Sequence, residues 1–423
     1  MSRTTDSQTE YSIPIVVGSL IIGVFFGGVG GGVAFPTLPL LGAILGISPF
    51  VVGVILSANR FTRLVLNAPA GQVIDRFGTK RPMVVGLFLQ ALAPFGYVLG
   101  LHAEYVPVLD AAGVFIGARI VWGLGSAFVF VGAFSTVIHV TERASRGKWI
   151  GYFRGGQSLG FPSGLILGGI LTDLYSFEVA FVTAGMTAMF ATLVAAIVLP
   201  EVSPEVSQPT RLRDFPSVVR ADERVFAIGT VNFVVRFLFA GVLLSTVVLY
   251  AEVHEIEIGL LGAVGASGVI MALAVLGASG MTLLAGNLSD RVGNRAIVSA
   301  PAMGLLALGF ALLGLLPTLP TILLGVVLIG IGVGGTNPPL LAYLGDISPS
   351  DDVGKMGGVY NVFGDIGSTL GPVIALPLAA AIGYQAEYGL SAVLAFLTIF
   401  IIVHLLIGAS TRPLSEEELS SGD

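Results

Sequence analysis

Hydrophobic residues in this chain are gathered into long runs, and polar residues are confined to the short segments between them. The runs do not alternate with a period of two, and most reach the roughly 20 residues that an α-helix needs to cross a bilayer. This pattern predicts a polytopic α-helical membrane protein. The predicted spans are 13–41, 49–72, 83–101, 108–137, 149–171, 178–199, 225–250, 258–284, 296–316, 320–344, 356–382 and 388–408.

The amino-acid composition also indicates a protein that is surrounded mainly by lipid. Of the 423 residues, 54% are hydrophobic and 11% are charged, whereas a soluble globular chain carries about 25% charged residues. The first apolar run is too long for the core of a cleaved signal peptide, so we expect it to remain as the first helix.

One long polar interruption divides the spans into two sets of six. Residues 200–224 contain four prolines and four arginines and are predicted to form a cytoplasmic linker. The expected organisation is therefore an N-terminal tail at 1–12, six-helix halves at 13–199 and 225–408, the linker, and a C-terminal tail at 409–423.

The positions of lysine and arginine predict the orientation. Alternate connecting segments carry these cations, whereas the remaining loops carry acids instead, namely Glu104, Asp173, Glu252, Glu255, Glu257 and Glu387. Because short loops rich in Lys and Arg stay on the cytoplasmic side, both termini are predicted to be cytoplasmic. A net charge of -6 with few lysines suits the plasma membrane of a prokaryote.

Several kinds of chemistry lack the residues that they need. The chain has no cysteine and only four scattered histidines, so disulfides, thiolate metal sites and cysteine nucleophiles are excluded. Neither glycine-rich run precedes the Lys-Ser/Thr pair of a nucleotide-binding loop. We therefore expect no cofactor, no nucleic-acid partner and no enzymatic activity.

A short motif occurs twice, after the second and the eighth predicted spans. Glycine, Asp-Arg, glycine and a final cation share one spacing in both copies. The first glycine is expected to end a helix where a neighbouring backbone comes close, and the second to adopt a positive φ. The aspartate can accept hydrogen bonds from a helix N-terminus, and the arginine can pair with acids of adjoining loops. The residues are Gly71, Asp75, Arg76 and Gly78 in the first copy and Gly286, Asp290, Arg291 and Gly293 in the second.

This motif resembles the signature loop of the major facilitator superfamily, G-x-x-x-D-R-x-G followed by basic residues. Both copies lack the usual basic residue after the second glycine and have Thr79 and Asn294 there. The resemblance implies an all-α membrane fold of twelve transmembrane helices, arranged as two pseudo-symmetric six-helix bundles. It also implies that these loops latch one side closed during transport. The alternative is a turn that merely keeps positive charge inside.

Two further segments resemble motifs of the same superfamily. The stretch from Arg119 to Gly125 is similar to its second motif, in which the arginine faces the central cavity. The stretch from Gly156 to Gly164 is similar to a fifth-helix motif of proton-coupled drug antiporters, with the proline displaced by one position. Arg119 is therefore a candidate for substrate or proton coupling, and a structural ion pair is the alternative.

Small residues recur at every fourth position in two predicted helices. The series are Gly156, Gly160, Gly164 and Gly168, and Gly367, Gly371, Ala375, Ala379 and Gly383. Such stripes let helices approach closely in lipid, and we expect them at a sliding seam between the halves. Glycine runs beside prolines, at 27–39 and 332–339, predict locally weak helices along the pathway.

Few charged residues lie within the predicted spans. The candidates for substrate or coupling contacts are Arg60, Arg63, Arg119, Arg236, Asp365 and Asn337. Several arginines around one acid favour an anionic or strongly polar ligand. Asp365 is the acid deepest in an apolar run, so it is either a site of reversible protonation or a partner of Arg63 or Arg76.

These features predict a monomeric secondary transporter that moves a small organic molecule across the bilayer by alternating access. Proton-coupled efflux, driven by the proton gradient, is the first expectation because of the antiporter-like motifs. The alternative is import of an organic or inorganic anion by the arginines. A channel or an intramembrane enzyme belongs to a different class and has less support from the residues.

Overall fold

The computed structural model describes residues 12–105, 110–142, 145–202, 222–349 and 353–408. Within them the chain forms twelve long helices. They are α1 Ile13–Ile44, α2 Pro49–Phe77, α3 Lys80–Leu101, α4 Ala111–Val140, α5 Arg146–Leu174, α6 Phe177–Val198, α7 Glu223–Val253, α8 Ala263–Ser289, α9 Ala296–Leu315, α10 Leu319–Ile347, α11 Val353–Ile382 and α12 Tyr384–Ile407.

Eleven of these described helices are long and apolar enough to cross a membrane. The remaining one, α5, is less apolar because glycine, serine and a proline fill its middle. The predicted fold class of two six-helix bundles is confirmed. The predicted tails and most of the linker, at residues 1–11, 203–221 and 409–423, lie outside the described residues.

Because consecutive helices run in opposite directions, the molecule has two distinct ends. We call the end where α1 begins and α12 finishes the terminal end, and the opposite one the far end. Both copies of the Gly-Asp-Arg-Gly motif lie at the terminal end, where α2 and α8 end.

The small-residue stripes pack helices together within each half. A Cβ atom added at Gly164 of α5 would lie 2.2 Å from the carbonyl oxygen of Val29 in α1. In the second half, a Cβ at Gly371 of α11 would lie 2.2 Å from the Cα of Gly241 in α7. The expectation that these stripes lie at the seam between the halves is thus wrong. They pack helices within each half.

The seam between the halves is formed by two other helix pairs. In the first, α2 meets α11: a Cβ at Gly53 would lie 2.4 Å from the carbonyl oxygen of Pro372, and Ser57 donates a 2.6 Å hydrogen bond to the carbonyl of Thr369. In the second, α5 meets α8, where a Cβ at Gly268 would lie 2.3 Å from the carbonyl oxygen of Leu165. All these contacts belong to the far-end portions of their helices.

A carboxylate reinforces the second pair at the far end. Asp173, at the end of α5, accepts a 2.7 Å hydrogen bond from the backbone N–H of Gly265 in the first turn of α8. The N-cap residue of α8, Gly262, has no side chain that could do this. An acid of one half therefore caps a helix of the other half.

At the terminal end the same four helices stand apart. Gly71 of α2, Gly155 of α5, Gly280 of α8 and Gly357 of α11 lie in their terminal-end portions. Within the described part of the chain, no neighbouring atom comes within 4 Å of a Cβ built at any of them. The conformation is closed at the far end and open at the terminal end.

Prolines and glycines do not break the helices that were predicted to be weak. Helix α1 is continuous through Pro36 and Pro39, and α10 is continuous through Pro338 and Pro339. The glycines of these segments pack closely against the backbones of neighbouring helices, and this packing stabilises the helical conformation. Irregular turns lie elsewhere: Phe237–Leu243 of α7 and Ile402–Ile407 of α12 are π-helical.

The structure corrects several expectations for the repeated motif. Gly71 and Gly286 do not end their helices and touch no neighbouring backbone, because α2 and α8 continue to Phe77 and Ser289. Gly78 has the expected positive φ of 76°, but Gly293 does not have one.

The polar residues of the motif also behave differently in the two copies. Asp75 and Arg76 lie in the last turn of α2, and the guanidinium of Arg76 lies over the ring of Phe77 at 5.3 Å. In the second copy Arg295, rather than the predicted Arg291, forms the ion pairs. It contacts Asp290 and, at 2.6 Å, Asp346 at the end of α10.

The non-basic residues after the second glycine have equivalent roles in the two halves. The Thr79 backbone N–H donates to the carbonyl of Val202, just after α6, at 2.9 Å. Asn294 donates to the carbonyls of Leu406 and Ile407, at the end of α12, at 2.8 and 3.2 Å. Each motif therefore holds the C-terminal end of the last helix of its own half.

Candidate substrate and coupling site

Arg119 is completely buried in α4 and binds α2. Its guanidinium donates to the carbonyls of Ile55 and Leu56, at 3.3 and 3.0 Å, and to the side-chain oxygen of Asn59 at 2.6 Å. Its Nη1 atom has no hydrogen-bond partner. The structural ion pair considered from the sequence is not formed, because these acceptors are neutral.

Aromatic rings alternate with arginines around this position. The guanidinium of Arg119 lies 5.9 Å from the ring centre of Trp122 and 5.8 Å from that of Phe35, and the guanidinium of Arg60 lies 5.7 Å from the same Phe35 ring. Trp122 packs on the glycine run of α1, where a Cβ at Gly31 would lie 2.7 Å from its ring. Glycine in α1 thus makes room for the indole.

Asp365 forms an ion pair across the seam with Arg63. The two side chains approach to 3.2 Å and remain 22% and 29% exposed, respectively. Of the two partners considered from the sequence, Arg63 is therefore the one that binds Asp365 in this conformation. The guanidinium of Arg76 lies over the ring of Phe77 instead. The pair joins α2 of the first half to α11 of the second.

Asn337 of α10 and Arg236 of α7 belong to the second six-helix half. The hydroxyl of Tyr360 donates to Asn337 at 3.3 Å, and the side-chain amide of Asn232 donates to the carbonyl of Tyr360 at 2.7 Å. Arg236 is exposed and packs its stem beside Gly364. Thr336 is fully buried, and its hydroxyl bonds the carbonyl of Gly332, so it does not face a ligand.

Five of the six predicted site residues thus come together from both halves, and Asn337 is not among them. The charged groups that act on Arg60 are Arg63, Arg119, Arg236 and Asp365. We call these five residues the charged cluster. Its cations outnumber its one acid, and Arg63 and Asp365 are partly open to solvent. Such a site has the chemistry to bind a polar or anionic group.

Several residues of this region were not predicted. They are Phe35, Asn59, Trp122, Asn232 and Tyr360. Single aromatic residues in an apolar run carry no pattern that separates them from lipid-facing ones. A tryptophan three residues from an intramembrane arginine was the available signal for Trp122.

Two bundles of six helices, closed at one end around a charged cluster, define a transporter that works by alternating access. A sequence profile of the Major Facilitator Superfamily matches residues 20–277 and 261–422. The chain belongs to this superfamily, whose members are transporters rather than enzymes. A small-molecule substrate and a bilayer environment follow from that membership.

Relatives agree with this assignment. Multidrug resistance protein 1 of Bacillus subtilis is 26% identical over 364 residues, which cover 84% of this chain and 87% of that protein. An uncharacterised transporter of the same type from Methanocaldococcus jannaschii is 25% identical, with 86% of this chain and 91% of that protein covered.

A solved structure shares the fold. A bacterial homologue of the human lysosomal transporter Spinster, in an inward-facing and occupied conformation, superposes with a TM-score of 0.72 and 15% identity. The superposition covers 92% of this chain and 94% of that one.

Proposed function

We propose that the protein is a secondary transporter that expels a small organic molecule in exchange for protons. The observation that carries this proposal is the Arg63–Asp365 ion pair, which joins the two halves at 3.2 Å inside the charged cluster. Protonation of Asp365 would remove the attraction that holds the pair together. Proton binding would therefore be linked to the relative position of the halves.

The relative from Bacillus subtilis supports the same function, since it is named for resistance to many drugs. We further propose that the terminal end faces the cytoplasm. The short connections at that end carry lysines and arginines, whereas the short connections at the far end carry none.

The decisive experiment replaces Asp365 by asparagine in the full chain reconstituted in proteoliposomes. Asp365→Asn keeps the size of the side chain but cannot exchange a proton. We expect pH-gradient-driven transport to be lost while substrate still binds. Unchanged coupling in this variant would contradict the proposal.

A matched control is available at Asp110, whose carboxylate caps α4 at the far end. Asparagine caps helices about as well as aspartate, so Asp110→Asn removes one acid without removing a structural role. This variant should transport like the wild type.

Anion import is the second candidate function, and the arginine excess of the charged cluster favours it. Arg60, Arg119 and Arg236 have no acidic partner among the described hydrogen bonds and ion pairs, so an anionic ligand could supply the missing charge. Benzoate and benzylammonium are similar in shape and opposite in charge. Stabilisation of the purified protein by benzoate, and by benzoate alone, would favour this candidate.

A further inference from the structure

A carboxyl group is buried in the second half, away from the charged cluster. The sequence pattern predicts Glu387 in an outer loop, which is wrong. The structure places it in the first turn of α12, at the far end, with 1% of the residue exposed. Neither carboxyl oxygen has a hydrogen-bond partner.

The ionisable groups near Glu387 are aromatic. Tyr384 and Tyr388 on α12 interact with it electrostatically. On α7, Tyr250 lies 5.0 Å from the Tyr388 ring, and the His254 ring lies 4.6 Å from that of Tyr250.

The hydroxyls of Tyr388 and Tyr250 are hydrogen-bonded to other partners. The hydroxyl of Tyr388 hydrogen-bonds that of Thr246 at 3.0 Å, and the hydroxyl of Tyr250 donates to the carbonyl of Leu313 at 2.7 Å. They are therefore not available to stabilise a negative charge on Glu387.

The other helices packed against α12 bring no lysine or arginine to this place. Helix α9 contains no ionisable residue along its whole length. In α11 the ionisable residues are Lys355, Tyr360 and Asp365, all in the half of the helix nearer the terminal end. The cations of α7, Arg224 and Arg236, also lie towards that end.

An ionised carboxylate buried without a partner is costly, by several kcal/mol, whereas a neutral acid is much easier to bury. We therefore propose that Glu387 is a proton-binding site, occupied while the far end is closed. Its ligand is a proton, and the site is separate from the Arg63–Asp365 pair.

The packing around Glu387 connects it to the closure of the far end. Thr246 and Tyr250 belong to the segment Leu244–Val253 of α7, which follows the π-helical turn directly and packs against α1 of the other half. π-helical turns are common at functional positions in helices.

Opening of the far end would withdraw this segment from α1 and admit water to Glu387. The carboxyl group could then ionise and release its proton. Proton binding at Glu387 consequently favours closure. This step rests on the alternating access of the proposed function but not on coupling at Asp365.

The test measures accessibility of the far end as a function of pH. The chain contains no cysteine, so one cysteine can be introduced at Leu40 of α1, which packs against the hydrophobic core of the second half. Labelling by a membrane-impermeant maleimide would be corrected for the pH dependence of a free thiol. We expect the corrected rate to rise about tenfold between about pH 5 and about pH 8.

Glu387→Gln, which stays neutral, should label slowly and equally at all pH values. Glu252→Gln, at an exposed position on the neighbouring helix end, should behave like the wild type. Measuring the labelling also in Asp365→Asn, with Glu387 intact, separates the two proposals, since the pH dependence should survive that substitution even though driven transport is lost.

Three outcomes would overturn the assignment. The first is a pH dependence that persists in Glu387→Gln. The second is a labelling rate that changes when sodium is replaced by choline at constant pH, because a metal cation would then be the ligand. The third is failure of both Glu387→Gln and Glu387→Met to fold, because the site is proposed to hold a neutral group of this size.

Discussion

At the scale of single residues, Arg119 shows how an intramembrane arginine can be stabilised without an acid. Two backbone carbonyls of α2 and the side-chain oxygen of Asn59 accept its hydrogen bonds, and two aromatic rings lie against its faces. A guanidinium offers five donors in a fixed plane, whereas an ammonium group offers three at one point. The site is therefore specific for arginine.

We expect Arg119→Lys to destabilise the protein by about 2–3 kcal/mol, because lysine cannot reach all three acceptors and would lose hydrogen bonds that a buried charged group makes. Thermal unfolding in detergent measures this effect. The control is Arg236→Lys, at an exposed position, which should change stability by no more than about 0.5 kcal/mol. Equal losses in both variants would contradict the proposed role of the hydrogen bonds.

At the scale of helices, the far-end seam depends on a close approach of α2 and α11. Gly53 lies where a Cβ would be 2.4 Å from a backbone carbonyl, and backbone cannot move aside as a flexible side chain can. Gly71 lies on the same helix and faces no neighbour within 4 Å. The two glycines therefore separate the effect of packing from the effect of helix propensity.

Gly53→Ala should prevent full closure of the far end, raise labelling of a cysteine at position 40, and reduce transport strongly. Gly71→Ala should leave closure of the far end unchanged. It should also stabilise α2 by about 0.5–1 kcal/mol, the usual advantage of alanine over glycine in a helix. If Gly53→Ala closed and transported normally, the seam would have to be looser than described.

The helices also show how far sequence reasoning reaches. The length and continuity of the apolar runs predicted all twelve helices, because crossing a bilayer imposes one length on every span. The glycine stripes were recognised, but their partners were not. The spacing shows that one face of a helix is lined by small residues, but it does not show which helix packs against that face.

The charged cluster was predictable for a similar reason. Charges within apolar runs are rare and costly, so Arg60, Arg63, Arg119, Arg236 and Asp365 stand out in the sequence. Glu387 did not stand out, because it lies at the end of a run, where an acid in a loop and an acid buried in the first helical turn have the same sequence pattern. Three-dimensional packing alone distinguishes them.

At the scale of the whole molecule, closure of the far end is stabilised by a hydrogen bond between the halves. Asp173 of the first half caps α8 of the second, at 2.7 Å from the Gly265 nitrogen. A helix cap contributes about 1 kcal/mol. Here that energy is present only when the halves meet, so it biases the conformational equilibrium and not merely the stability of one helix.

Asp173→Ala should shift the equilibrium about fivefold towards the open far end, which corresponds to the loss of about 1 kcal/mol. Labelling of a cysteine at position 40 would measure it. Asp110→Ala removes a cap within the first half and should lower thermal stability without altering the labelling. An equal shift in both variants would mean that capping between the halves has no special role.

The position of the charged cluster has an electrical consequence. In a molecule closed only at the far end, the membrane voltage falls mainly across that closed seam, so the cluster lies near the potential of the solution on the open side. When the seam changes ends, the same arginines lie near the potential of the other solution. Moving one elementary charge through 100 mV corresponds to about 2.3 kcal/mol. A charged solute carried at the cluster would therefore make each cycle sensitive to voltage, and a recorded current would report the net charge moved per molecule.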